Sequence, residues 1–411
     1  MTIRNKTVHI GNLFEGDKAL WMVLFFLCII SILEVYSASS NMTFERGAYW
    51  SPVLKHGLYL GIGVAITWVI HRIPCRYFGW IVVIGPVLSI LLLIAALFSS
   101  GSLNDTNRWL NVGGFSFQPS EIAKGSLIVV VAWLLSVMRD EKGATTSAFK
   151  WILGFSVIIC GLIVKENLST ALLTFVVVLM MMFVGKVPWQ HLSILIGLIV
   201  ICGGIGYSIL RFTPESTLEQ AGKLPGMKRL TTWAHRVRNH TELPDDPLRY
   251  DLTTNPQITQ AHVAIATCNV IGRGPGNSAV RDFLPQAYSD FIYAIIIEEL
   301  GLVGGLFVLL LYLALLYRAA RIAGRCRKNF PAFLILGLAL LIVTQALINM
   351  MVAVGLFPVT GQPLPLVSRG GSSIMVNCAY IGMMLSISQS AQQNAEIAPS
   401  VEPDEKTIVT E

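Results

Sequence analysis

The chain has 411 residues, 54% of them hydrophobic and 13% charged, with a mean hydropathy of +0.64 and a formal net charge of +6. Soluble domains run at about 45–50% apolar and about 25% charged, so this composition excludes a soluble globular enzyme and indicates a polytopic membrane protein. The basic residues concentrate in short loops between apolar runs, where membrane orientation accounts for them, so the positive charge implies no nucleic acid.

The apolar runs fall at about 20–37, 56–71, 78–98, 120–138, 151–164, 168–185, 191–210, 291–317, 332–353 and 371–389. Each approaches the roughly 20 residues needed to cross hydrocarbon, or is short enough to need help from its flanks. The chain therefore reads as all-α, with about ten transmembrane helices and one large extracytoplasmic loop. One membrane domain covers 20–390, between a cytoplasmic tail over 1–19 and a second tail over 391–411. The fifth and sixth runs meet at Lys165-Glu166-Asn167, where a re-entrant pair is an alternative to the preferred two crossings. No small-residue cleavage pattern precedes the first run, so that span is expected to stay in the mature protein. Seven cysteines are scattered without a CxxC pair, which supports neither a disulfide framework nor a zinc site.

Positive residues set the orientation. His71, Arg72 and Arg76, then Arg139 and Lys142, then Lys186, then Arg318, Arg321, Arg325, Arg327 and Lys328 occupy alternate loops, which are expected to be cytoplasmic. Both termini then lie inside, and 38–55, 99–119, 211–290 and 354–370 face outward.

Glu34, near the outer end of the first span, is open to an interfacial or a cavity role. Lys55 and His56 open the second span, where Lys55 either snorkels to the interface or turns inward to join a positive cluster. In the next outer loop Arg108 and Trp109 precede Gln118-Pro119-Ser120, and Pro119 suits the first turn of a helix. Glu121 and Lys124 share a face of that helix. They form a neutralised ion pair at a helix end, or Arg108 and Lys124 line a cavity whose polarity Glu121 sets.

The outer loop 211–290 is long enough to be functional or disordered. Trp233, Tyr250, Phe283 and an apolar stretch from Gln257 to Ile271 favour function. Its basic residues Lys223, Lys228, Arg229, Arg236 and Arg238 break the positive-inside pattern, as a solvated face or as a site for an anionic head group. Gly272, Gly274 and Gly276 lack the GK[ST] ending of a phosphate loop and read as tight turns returning the chain to the membrane. Asp282 and Asp290 follow. Asp290 stands where loop becomes helix, and its carboxylate either caps that helix or serves as general base. At about 100° per residue, Glu298 falls about 80° from the Asp290 face, within reach of the site, and Glu299 nearly opposite, bracing a helix contact. The last outer loop, 355–373, mixes four glycines with three prolines. It cannot be helical throughout and is expected to shape one wall of a cavity. The tail from Ala391 to Glu411 is polar and acidic and reads as disordered.

These stretches match a family. QPSEIAK at 118–124, GRGPGNS at 272–278, LPQAYSDFIYAIIIEELG at 284–301 and GLFPVTGQPLPLVSRGGSS at 355–373 together resemble the SEDS proteins (shape, elongation, division and sporulation), the FtsW and RodA group. RLTTW at 229–233 looks more like the FtsW branch. The resemblance implies a ten-span peptidoglycan glycosyltransferase of the bacterial inner membrane, which polymerises lipid II on the outer face with a class B penicillin-binding protein and other divisome proteins during septal cell-wall synthesis. It makes Asp290 the essential acid. Lys55, Arg108, Glu121, Lys124, Asp282, Ser368 and Ser372 fall where substrate is held. Two departures stand out: Lys165 to Thr170 replaces a PDLGT-type pattern, and Arg369 stands where an aromatic often sits in SYGGSS.

The implied reaction has Asp290 accept the proton of the acceptor GlcNAc 4-hydroxyl as it attacks the donor MurNAc anomeric carbon, giving a β-1,4 link by inversion. Arg108, Lys124 and Lys55 then face the diphosphate leaving group. No cofactor is assigned; a divalent cation, Mg or Mn, is compatible with a diphosphate, and no metal-ligand set stands out. The alternatives are a RodA-like elongation polymerase, a lipid II flippase and a division-site scaffold, since intramembrane charges also mark translocation routes.

Overall fold

A computed structural model of the chain describes residues 15–44, 51–98, 109–112, 115–214, 216–217, 220, 229–241, 256–280 and 290–397. Its elements are α1 (Lys18–Phe44), α2 (Ser51–Ile70), a 3-10 turn (Cys75–Trp80) leading into α3 (Ile81–Phe98), β1 (Leu110–Val112), β2 (Phe115–Phe117), α4 (Pro119–Val137), β3 (Arg139–Asp140), β4 (Gly143–Ala144), α5 (Thr146–Glu166), α6 (Leu168–Val184), α7 (Trp189–Phe212), α8 (Arg229–Thr241), α9 (Pro256–Ala266), α10 (Ile292–Ala323), α11 (Asn329–Ala353) and α12 (Gly371–Ile397). The strands form two small antiparallel pairs, β1 with β2 and β3 with β4. Among the described residues nine helices are long and apolar enough to cross a membrane, and the 17-residue α6 is shorter. With α6 they account for the ten apolar runs.

The junction at Lys165-Glu166-Asn167 is a hairpin of two helices. Asn167 closes α5 and caps α6, its Oδ1 accepting from Ser169 N at 3.0 Å. At the far end of the pair, Ala144 N donates to Gly185 O at 3.1 Å, so α6 runs back along α5 to where α5 began. α5, at 21 residues, is long enough to cross a membrane, and α6 is the shorter arm of the hairpin.

Burial is graded across the bundle. α4 is buried along most of its length and packs against α3, α5 and α11, whereas Leu192 and Leu195 are the buried residues of peripheral α7. α2 and α12 share an extensive contact. At one end Asp17 caps α1, its Oδ1 accepting from Ala19 N at 2.9 Å, while its own N–H donates to Ser388 Oγ of α12 at 2.8 Å. Arg318 of α10 donates to the same carboxylate. This clamp puts the start of α1, the end of α10 and the end of α12 side by side.

α10 is broken. Gly301 has φ +74°, outside helical geometry, and the carbonyls this frees need donors in a membrane. The glycine-rich segment supplies them: Arg273 N donates to Glu298 O at 3.0 Å and Gly274 N to Glu299 O at 2.9 Å. Gly272, at φ +80°, lies so close that an added Cβ would overlap Glu299 O and Gly301 N. The turns therefore return this loop to the membrane domain, as expected from the glycine spacing.

Candidate functional site

The wall expected from the last outer loop is built from non-helical backbone whose carbonyls are satisfied by side chains of the surrounding helices. Asn349 Nδ2 donates to Gln362 O at 2.8 Å and Gln345 Nε2 to Pro363 O at 3.0 Å. Leu364 O accepts from Val367 N and Ser368 N, and Pro365 O from the Tyr312 hydroxyl. Ser31 Oγ donates to Val367 O at 2.9 Å and lies 2.7 Å from His56 Nε2. Irregular backbone inside a membrane protein persists where its carbonyls are paired in this way. Leu366, buried and at φ +66°, takes a left-handed backbone within this loop.

A polar path runs from α4 through α11 to this loop. Lys124 Nζ donates to Glu121 Oε1 at 2.8 Å and to Gln345 Oε1 at 2.8 Å, with Lys124 and Glu121 only 1% and 2% exposed. An ammonium in such a place is tolerated because two acceptors meet it. Tyr380 of α12 donates to Glu121 O, across a gap that Gly125 leaves open. One turn of α11 beyond Gln345, Asn349 Nδ2 also donates to Asp290 O at 2.9 Å. Gln362 reaches Thr170 on α6. The chain of contacts thus joins the Glu121–Lys124 pair to the backbone of Asp290.

Asp290 sits in a turn before Phe291, the N-cap of α10, and no side-chain bond caps that helix. Its carboxylate instead approaches Gly361. A Cβ built on Gly361 would lie 3.7 Å from Asp290 Oδ2 and 3.9 Å from Arg236 Nη2. Arg236, half-buried on α8, donates to Thr360 O at 3.4 Å. Burial pushes its guanidinium below the usual value, and the neighbouring Asp290 carboxylate opposes that.

The other expected residues are distributed around this centre. Ser368 Oγ accepts from Leu364 N at 2.8 Å, and Ser372 Oγ accepts from Gln118 N at 3.3 Å, at the join between α12 and the start of α4. Lys55 is exposed near the start of α2, while the adjacent His56 is the buried one. Arg108 and Asp282 lie outside the described residues. Glu298, fully buried, is turned to the glycine-rich segment, where it meets Arg273 Nη1 at 3.2 Å, Ser278 Oγ and Ala279 N at 3.0 Å. Glu299 accepts from Ser37 of α1 and from Gly276 N at 2.9 Å, which is the bracing role expected of it. Glu34 is fully buried within electrostatic reach of Glu299, and neither of its carboxyl oxygens has a hydrogen bond.

Three residues of this centre went unread in the sequence, Gln345, Asn349 and Gln362, and Arg236 was read only as one of the basic residues of its loop. The signal for the first two was an amide pair four apart inside an apolar run, which places both on one helix face. An apolar cleft between α6, α7 and α11, lined by Phe183, Trp189, Leu192 and Leu340 among others, carries no polar group for chemistry. Among the described residues no three His, Cys, Asp or Glu side chains converge to hold a metal ion.

The fold is shared with solved structures. A chain from a structure described as "Structural coordination of polymerization and crosslinking by a peptidoglycan synthase complex" superposes with a TM-score of 0.71 at 22% identity, over 92% of this chain and 99% of that one. The crystal structure of the Thermus thermophilus rod shape determining protein RodA gives 0.63 at 21% identity, over 92% and 98%. Among relatives, a probable peptidoglycan glycosyltransferase FtsW of Geobacter sp. (strain M18) is 30% identical over 91% of this chain and 97% of its own length. The protein of the same name in Hahella chejuensis is 31% identical over 91% of each. The FtsW/RodA/SpoVE profile of cell cycle proteins matches residues 17–393, and the chain belongs to that family.

Proposed function

We propose that this chain is a peptidoglycan glycosyltransferase that polymerises lipid II in the bacterial cytoplasmic membrane, with Asp290 as general base. The observation that carries the reading is the position of Asp290: its backbone is pinned by Asn349, and its carboxylate stands beside Arg236 over Gly361. A carboxylate beside a cation stays ionised and can take a proton from a hydroxyl. The acceptor GlcNAc 4-hydroxyl loses its proton to Asp290 as its oxygen bonds the MurNAc anomeric carbon. The anomeric bond to the diphosphate breaks, and the undecaprenyl diphosphate leaves with that electron pair.

Relatives named FtsW at about 30% identity support the activity and favour a septal role over an elongation role. A neighbour from a peptidoglycan synthase complex supports a class B penicillin-binding protein as partner, alongside other divisome proteins. The basic loops at 139–142 and 318–328 support cytoplasmic termini, with the Asp290 side outward. Lys55, Arg108 and Asp282 complete the proposed substrate surface, and Lys124, buried against Glu121 and Gln345, supports it from behind. The test is incubation of lipid II with the purified chain and its partner, the partner's transpeptidase blocked. Muramidase-sensitive glycan strands are expected. Redistribution of lipid II across vesicles without strands would instead identify a transporter.

A further inference from the structure

Arg236 belongs to α8, in the long outer segment, not to the membrane-spanning helices. Its guanidinium is anchored through Nη1 on Thr360 O, which leaves Nη2 directed at the space above Gly361. Asp290 Oδ2 borders the same space from the side of α10. The two heads stop short of a direct ion pair. The point between them is open because residue 361 has no side chain, and at φ +67° glycine is the residue that suits that backbone. A carboxylate and a guanidinium flanking one glycine, each just under 4 Å from where a Cβ of residue 361 would stand, set an acceptor and a donor on two sides of one small gap. A sugar hydroxyl is the group that answers both, since it carries one O–H donor and two acceptor lone pairs.

We propose that Arg236 is a second catalytic residue of this site, donating to the oxygen of the acceptor hydroxyl over Gly361 while Asp290 takes its proton. The inference rests on the glycosyltransferase reading above. As the O–H bond breaks, negative charge develops on that oxygen, and the guanidinium stabilises it before the new C–O bond forms. Asn349 of α11, which holds the Asp290 carbonyl, and Gly361 beside its carboxylate are neutral. On its own side, Glu298 and Glu299 are turned to the glycine-rich segment. Arg236 is a cation whose charge acts on the Asp290 carboxylate.

The test compares wild type, Arg236→Gln, Arg236→Lys and Asp290→Asn, each in complex with the partner, for lipid II polymerisation against concentration and pH. Arg236→Gln retains a donor for Thr360 O and removes the charge. It is expected to lower kcat by about 100-fold with little change in KM, and to move the acid limb of the profile to higher pH. Arg236→Lys is expected to recover part of kcat and keep the acid limb in place, and it carries the test should the glutamine variant not fold. Wild-type kcat and an unchanged acid limb in Arg236→Gln, with Asp290→Asn inactive, would overturn the role of Arg236 alone. An active Asp290→Asn would overturn the underlying reading.

Discussion

Lys124 Nζ lies 2.8 Å from Gln345 Oε1, joining α4 to α11 at a depth where each residue is 1% exposed. The same ammonium neutralises Glu121, and the other end of the Gln345 amide holds Pro363 O of the loop. One buried cation thus serves helix packing and the wall of the site together.

Lys124→Met is therefore expected to leave Glu121 buried without its counter-charge and to cost about 3–5 kcal/mol. The measurement is the thermal midpoint in detergent. Adding Glu121→Gln to Lys124→Met is expected to recover a large part of that loss, since the stranded charge is then gone. Polymerisation by the double variant should remain impaired, because the support for the loop has changed.

Asn349→Ala removes two donations, one to Asp290 O and one to Gln362 O. Each such bond contributes about 1 kcal/mol, and an orphaned buried carbonyl costs about 1–3 kcal/mol. A stability loss of about 2 kcal/mol is expected. A displaced Asp290 is also expected to lower kcat by about 10–100-fold, as small misplacements of reacting groups do. Chain growth at saturating lipid II reads the second effect.

Gly301→Ala forces a side chain onto φ +74° and into Val270 O of the packed loop. Destabilisation of more than about 2 kcal/mol is expected, with the 270–280 segment released from α10. Protease cleavage in that segment, faster than in wild type, is the readout.

Glu34→Leu tests the opposite sign. The carboxyl is fully buried, close to Glu299 and without a hydrogen bond, so replacing it by an alkyl group removes a desolvation cost with no partner lost. The thermal midpoint is expected to rise, by about 1–3 kcal/mol of stability.

The spans and the loop expected to form a wall were legible because hydropathy and a mixture of glycine with proline act locally. The Glu121–Lys124 pair was legible because residues three apart on a helix meet by geometry alone. Glu298 was set near the Asp290 face by counting helical rotation from Asp290. That count does not apply, since α10 begins at Ile292 and Asp290 lies in the preceding turn. Nor could Arg236 be told from the other basic residues of its loop: its partner is Gly361, brought there by the fold, and a missing side chain has no sequence signal. Gln345 and Asn349 were visible as amides in an apolar run, but their meaning came only from the carbonyls opposite them.

The most direct test of the account is polymerisation of purified lipid II by the complex with its class B penicillin-binding protein, comparing wild type with Asp290→Asn at equal folded yield. Glycan strands are expected from wild type and none from the variant, which keeps the backbone contact with Asn349 and loses the carboxylate charge and its proton-accepting oxygen. Strands of ordinary length from the Asp290→Asn complex would contradict it.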